Sequence, residues 1–421
     1  MSDMTATGAP GLTTADGRPL KAALKRAQAR AKRRAFLLVL PLLAFIVLTF
    51  ILPIGQLLHE SIYNPDFHDN MPKTVAWFQT HPQGTQPDEA AYAALAADLT
   101  TAAAARTVAQ VGTRVNYAMP GTRSLFSSIG RKAKDLTPPF KDALIAADPQ
   151  WGSADLWATM RNVSHSYTAD FYLAAVDHTH DVNGNIVPVS SDQAIYVLLF
   201  ERTFLLAGLI TLICFVIGYP VAHLLAVLPL RSSNLLMILV LLPFWTSLLV
   251  RTTSWIALLQ REGVINDLMV WLGLIDNHQR LQMIYNQAGT VVAMTHILLP
   301  FMILPLYSVM RPIPPSYARA ARSLGATSWT TFRRIYFPQT LPGIGAGSML
   351  VFILAVGYYI TPALVGGASG QLISNQVAYF ITGAGNNWSL GCAIAGILLA
   401  AILLLYWLYD RLVGIDNMKL G

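Results

Sequence analysis

The residues best placed to do chemistry in this chain would recognise rather than react. Between Arg311 and Pro338 the sequence reads R-P-I-P-P-S-Y-A-R-A-A-R-S-L-G-A-T-S-W-T-T-F-R-R-I-Y-F-P, with five arginines and no acid. Pro314 and Pro315 can start a short helix, since proline suits the first helical turn, where an N–H lacks a partner anyway. Ala318, Ala320, Ala321 and Leu324 continue it, and Gly325 can supply the left-handed stop. Ser328 is a natural cap for a second short helix that carries Trp329, Phe332 and Ile335 and ends at Pro338. The pattern predicts two helices around a bend. Small residues that allow close approach, an apolar face and exposed arginines suit insertion into a groove on a partner. They equally suit an amphipathic hairpin lying on anionic lipid, and the residues alone leave the two open.

A second set of residues could line a path. The faces of Trp245, Trp255, Tyr358 and Tyr359 can attract an ammonium group by cation–π contact, although each also suits an interfacial aromatic belt. Arg251 lies about 16 residues into a predicted span, roughly 24 Å from its inner end at about 1.5 Å per residue, where it can snorkel to the outer interface. Glu201, at the outer entrance of another span, is its candidate partner. The run Asp177-His178-Thr179-His180-Asp181 has metal-like composition but lacks a third well-spaced ligand, so it reads as a solvated loop. The glycines of 343–347 and 366–370 lack the Lys-Ser/Thr of a phosphate loop and are expected to allow close helix approach and a turn. No catalytic residue, metal site or bound cofactor is indicated.

The elements that must hold these residues belong to a membrane. Of the 421 residues, 54% are hydrophobic and only 12% charged, with mean hydropathy +0.47. That is too apolar for an ordinary soluble domain. A spanning helix needs about 20 apolar residues, and six stretches meet that: 36–58, 203–228, 235–259, 291–310, 343–364 and 390–408. The net charge of +7 comes from basic residues beside these spans, not from a stripe interleaved with stacking aromatics, so nucleic acid is not indicated. Eight basic residues among the first 35 should hold that tail in the cytoplasm, and the 311–342 loop and the C-terminus then fall inside too. The apolar stretch at 36–58 is longer than a signal-peptide core and reads as an uncleaved anchor. Segment 59–196 would lie outside and fold in part: 88–110 reads as helix, Asn183-Gly184 as a turn between short extended runs, and Trp151 and Trp157 as anchors of a small core. Prolines in or beside the spans, among them Pro220, Pro300 and Pro305, favour a kinked multi-helix bundle. Cys214 and Cys392 lie in apolar stretches and read as packing residues. There is no internal repeat of fixed period.

The 311–338 segment resembles the E-A-A, Gly, Ile-x-Leu-Pro motif of binding-protein-dependent ABC importer permeases. Ala320, Ala321, Gly325, Ile335 and Pro338 match at the expected spacing, whereas Arg319 stands where the motif has Glu and Phe337 where it has Leu. Arg322 and Arg334 leave other charged contacts available. The stretches L-P-F-W-T-S-L-L-V-R-T-T-S-W-I-A-L-L-Q-R-E-G-V-I-N, L-P-F-M-I-L-P-L-Y and Y-I-T-P-A-L-V-G-G resemble the spermidine/putrescine permease family most closely. The resemblance implies an all-α membrane protein with six transmembrane helices and an extracytoplasmic insertion between the first two. It implies a transport subunit, not an enzyme, that imports a small solute, a polyamine by the nearest resemblance, delivered by an extracytoplasmic solute-binding protein. Residues 311–342 would be the coupling loop, docking one of two ATPase subunits that use the ATP, and a second, related permease would complete the path. The alternatives are an ABC permease for another small solute and an ion-coupled secondary transporter, the latter disfavoured by sparse intramembrane charge.

Overall fold

A computed structural model describes residues 20–181, 184–383 and 387–413. The start of the basic tail, Asn183 and the C-terminal tail lie outside the described residues. Five described helices are long and apolar enough to cross a membrane: Gln28–Glu60, Tyr196–Val227, Gln287–Met310, Ser328–Gly357 and Trp388–Arg411. A sixth span is broken, with limbs Leu230–Trp245 and Leu248–Trp271 bent by 96°. The continuous helix expected over 235–259 is therefore not formed. Pro243 lacks an N–H to continue the ladder, and Thr246 and Ser247 adopt extended backbone between the limbs.

Residues up to His59 form a unit of their own. Its helix has a π turn over Val47–Ile51, two residues before Pro53. The same offset recurs where the π turn Phe332–Tyr336 precedes Pro338. A proline ring crowds the carbonyl four residues earlier, and the wider π turn moves that carbonyl aside without breaking the helix. Hence the second helix of the 311–338 segment does not end at Pro338. It runs on through Pro342 to Gly357, and the fifth span begins inside the segment that the sequence presented as a loop.

The remainder of the chain is one compact unit. In it, Tyr196–Val227, Gln287–Met310 and Phe337–Gly357 pack around Ile210, Cys214, Met302, Ile303 and Val351. Glycine sets the approach: a Cβ on Gly343 would come within 3.1 Å of the Pro305 carbonyl, and one on Gly347 within 3.2 Å of the Met302 carbonyl. This small-xxx-small face brings backbones together where lipid offers no hydrophobic drive between helices.

Residues between the first two spans fold into short helices around Phe67, Tyr92, Leu95, Phe126, Trp151 and Trp157. The core is anchored on both tryptophans: Trp157 Nε1 donates to the Trp151 carbonyl at 2.8 Å, and the Tyr92 hydroxyl donates to the same oxygen at 3.1 Å. The alanine-rich helix spans Glu89–Ala105, capped by Asp88, and stops at Arg106, whose φ of 64° ends it before the expected 110. The extended runs are the antiparallel strands His178–His180 and Ile186–Pro188. Asp177 is no solvated loop residue. Its carboxylate accepts from the backbone N–H groups of Ile195 (3.0 Å), Tyr196 (3.0 Å) and Val197 (2.8 Å), and so caps the second span.

Asp98 is buried and accepts from Thr74 N at 2.7 Å and Thr74 Oγ1 at 2.8 Å. Asp98→Ala orphans that N–H and is expected to lower stability by about 1–3 kcal/mol in denaturant unfolding. Burial, outweighing the Thr74 donors, raises the Asp98 carboxyl pKa above its ordinary value. The folded state thus holds this proton more tightly than the unfolded chain does. The group's favourable contribution is greatest below the unfolded pKa and fades as pH rises through the folded one. Comparing the pH slopes of unfolding for wild type and Asp98→Asn should show a shallower fall in the variant.

Candidate functional site

Two places gather the residues that the sequence singles out. The first is the 311–338 elbow. One limb is Pro315–Ser323, which ends at Leu324 and turns through Gly325 at φ 89°. The other starts at Ser328, and its cap is Thr327, whose side chain accepts from Thr330 N; the expected cap, Ser328, is the first helical residue instead. Along the first limb Ala318 and Ala321 turn partly inward, while Arg319, Ala320 and Arg322 are exposed. Leu324 is 89% exposed at the bend and Trp329 68% exposed beyond it. Ile335 and Pro338 are exposed on the second limb.

Below the elbow the geometry is firm. Arg311 Nη1 donates to the carbonyls of Ala226 (2.6 Å) and Leu228 (2.9 Å), satisfying the C-terminal end of the second span. The Tyr219 ring packs against Phe332 and Phe337, and its hydroxyl lies 3.1 Å from Thr340 Oγ1. His223 Nδ1 lies 2.9 Å from the Tyr336 hydroxyl. These contacts tie the elbow to the second and fifth spans.

The second place is where two helices are interrupted. The third span breaks at Thr246–Ser247, and the fifth span ends at Gly357, before Tyr358 and Tyr359, instead of continuing to 364. Arg251 serves the first break: Nη2 donates to the Pro243 carbonyl and, at 3.1 Å, to that of Thr246, so the guanidinium caps the C-terminal end of the Leu230–Trp245 limb. Its expected pairing with Glu201 is absent, and Glu201 is exposed. The depth inferred from a straight rise per residue also fails, because the chain turns by 96° before reaching Arg251. At the second break the Tyr358 carbonyl accepts from Ser374 Oγ at 2.6 Å and the Tyr359 carbonyl from Asn375 Nδ2 at 2.8 Å. Interrupted backbone in a membrane persists only when its polar groups find such partners or a water-lined cavity.

Across these breaks Trp255 Nε1 donates to His296 Nδ1 at 3.1 Å, which places the proton of a neutral His296 on Nε2. Thr252 Oγ1 lies 3.2 Å from Thr361 Oγ1. The structure thus joins Trp255 to His296, a residue absent from the sequence-based set. Its signal was there: a lone imidazole in an apolar span. Trp245 is 73% exposed at the end of its limb and Tyr359 43% exposed, and neither joins this pair.

Because Arg251 caps carbonyls, exchanging the two charges should not help. Glu201→Arg combined with Arg251→Glu is expected to transport no better than Arg251→Glu alone, and recovery of uptake in the double variant would reinstate the ion pair.

Comparison with known proteins decides what kind of bundle this is. The family described as binding-protein-dependent transport system inner membrane component matches residues 203–414, half of the chain. The chain belongs to this family. It is the permease subunit of an ABC importer, a multi-pass inner-membrane protein with a transport role, not an enzymatic one. The permease is 37% identical over 212 residues to the spermidine/putrescine transport system permease protein PotB of Escherichia coli, covering 50% of this chain and 76% of that protein. It is 34% identical over 215 residues to the PotB of Haemophilus influenzae, covering 51% and 74%. Among solved structures, a bacterial alginate ABC transporter in complex with an alginate-bound periplasmic protein matches with TM-score 0.43 and 18% identity, over 54% of this chain and 80% of that one. Membership in a binding-protein-dependent family implies an ATPase and a periplasmic binding protein as companions.

Proposed function

We propose that the permease imports a polyamine of the spermidine/putrescine class, handed to it by an extracytoplasmic binding protein, and that the 311–338 elbow is where ATPase movement enters. Two ATPase subunits bind and hydrolyse the ATP, and a second, related permease completes the bundle. The N-terminus, the elbow and the C-terminus face the cytoplasm, and residues 60–195 face outward.

The observation that carries the substrate reading is the 37% identity to PotB over 212 residues. The aromatic faces of Trp255 and Tyr358 beside the helix breaks suit passage of an ammonium group. With Arg251 as the fixed charge at the breaks, a polycation would be held weakly there, which favours release over retention. Selectivity then rests with the binding protein.

Reading the elbow as the coupling site rests on the spacing of Ala320, Ala321, Gly325, Ile335 and Pro338 and on its apolar, exposed tip. Uptake of labelled spermidine into vesicles holding the complete transporter and its binding protein tests the substrate. ATP-dependent uptake displaced by putrescine is expected, and uptake of an unrelated solute with no displacement by polyamines would overturn the polyamine class.

A further inference from the structure

The elbow carries a charge pattern that specifies its partner. No Asp or Glu occurs between Asp276 and Asp410, so neither limb has a local acid to neutralise its arginines. Arg311 is consumed in capping the second span. Arg319, Arg322, Arg333 and Arg334 are exposed, and none makes an ion pair among the described residues. Arg319 and Arg322 are three residues apart on one helix, hence on the same face. Leu324, one residue past the end of that helix, is the most exposed large apolar side chain of the elbow.

We propose that the ATPase groove receiving this elbow is lined by carboxylates opposite Arg319 and Arg322, an inverted polarity relative to an interface built on a glutamate at the first of these positions. The inference rests on the coupling reading above and names the chemistry of its partner. The coupling reading selects a protein groove over a lipid surface, because membership in the family implies an ATPase companion. Ser316, Arg319, Arg322 and Ser323 are exposed on Pro315–Ser323, and so are Tyr317, Ala320 and, one residue past its end, Leu324. An exposed apolar knob at the end of a helix that carries two like charges suits an anchor that fills a pocket, with complementary charges setting register.

The test uses the full permease assembly in nanodiscs of zwitterionic lipid, with its own ATPase added in solution. Association should weaken as salt rises from about 50 mM to about 500 mM, because screening shortens from roughly 14 Å to 4 Å. Arg319→Glu should weaken association by about tenfold or more, with Arg319→Gln between it and wild type. Loss of helix cannot explain that result, since a carboxylate at this position would gain an i,i+3 attraction to Arg322 and support the helix. Association of Arg319→Glu as tight as wild type, or tighter, would overturn the acidic groove while leaving the coupling reading intact. Binding of the elbow only when anionic lipid is included, independent of ATPase, would assign the arginines to the membrane. Failure of the wild-type permease to bind the ATPase at all would remove the underlying reading as well.

Discussion

Replacing Gly325 by valine is expected to cut ATP-driven uptake by about tenfold or more while the permease still inserts and folds. Gly325 sits at φ 89° with no atom within 4 Å of where a Cβ would go. Space is therefore not the obstacle; conformation is. A left-handed backbone costs an L-residue roughly 1–2 kcal/mol, and a β-branched one more, so the bend is expected to reopen and the limbs to swing apart. At about 1.4 kcal/mol per decade, coupling should fall by about tenfold or more. The effect should be graded by tolerance of positive φ: mild for Gly325→Asn, larger for Gly325→Ala and largest for Gly325→Val. Initial uptake rates, normalised to the amount inserted, give the order directly. Equal rates across the series would show that the bend does not matter to transport.

The second large effect concerns stability. Asp177 is buried and accepts from three successive backbone N–H groups at the start of the second span, a helix against which both of the other core spans pack. Removing the carboxylate leaves those donors without partners at a helix N-terminus, next to residues 60–195, whose Phe171 and Ala175 belong to the same core cluster as that span. Asp177→Ala is expected to cost about 3 kcal/mol, and Asp177→Asn less, since one amide oxygen can still accept. Because Asp177 itself has φ 58°, an Asn there also keeps the backbone that Ala would disfavour. Thermal unfolding in detergent should rank the variants wild type, Asn, Ala. An Ala variant as stable as wild type would mean that the cap contributes nothing.

Much of the bundle was legible because membrane spans announce themselves by length and apolarity. The elbow was legible because proline, alanine and glycine have narrow conformational roles. Gly325 does take the left-handed stop, and Pro315 does open the first limb. What escaped depends on how proline is accommodated. At Pro338 a π turn lets the helix pass, so an element that should have stopped continues to Gly357. At Pro243 no such turn forms and the span breaks. A one-dimensional pattern does not distinguish these outcomes, because neighbouring helices decide which carbonyls can be satisfied. Arg251 shows the same limit. Its type and place suggested an ion pair across the bundle, but the break upstream supplied carbonyls for it to cap. Asn375 was missed because its role exists only once the interrupted end of the fifth span lies beside it, and His296 because its partner Trp255 is set by the fold.

The most direct test of the elbow as the entry point for ATPase movement is a single-cysteine crosslink at Leu324. Native Cys214 and Cys392 are both buried, whereas Leu324 is 89% exposed at the bend, so Leu324→Cys introduces one accessible thiol. In vesicles holding the full transporter, a short thiol-to-amine crosslinker at this position should join the permease to the ATPase, and ATP should change the yield. Efficient labelling of the thiol without any crosslink to the ATPase, in a transporter that still imports, would contradict docking at this elbow.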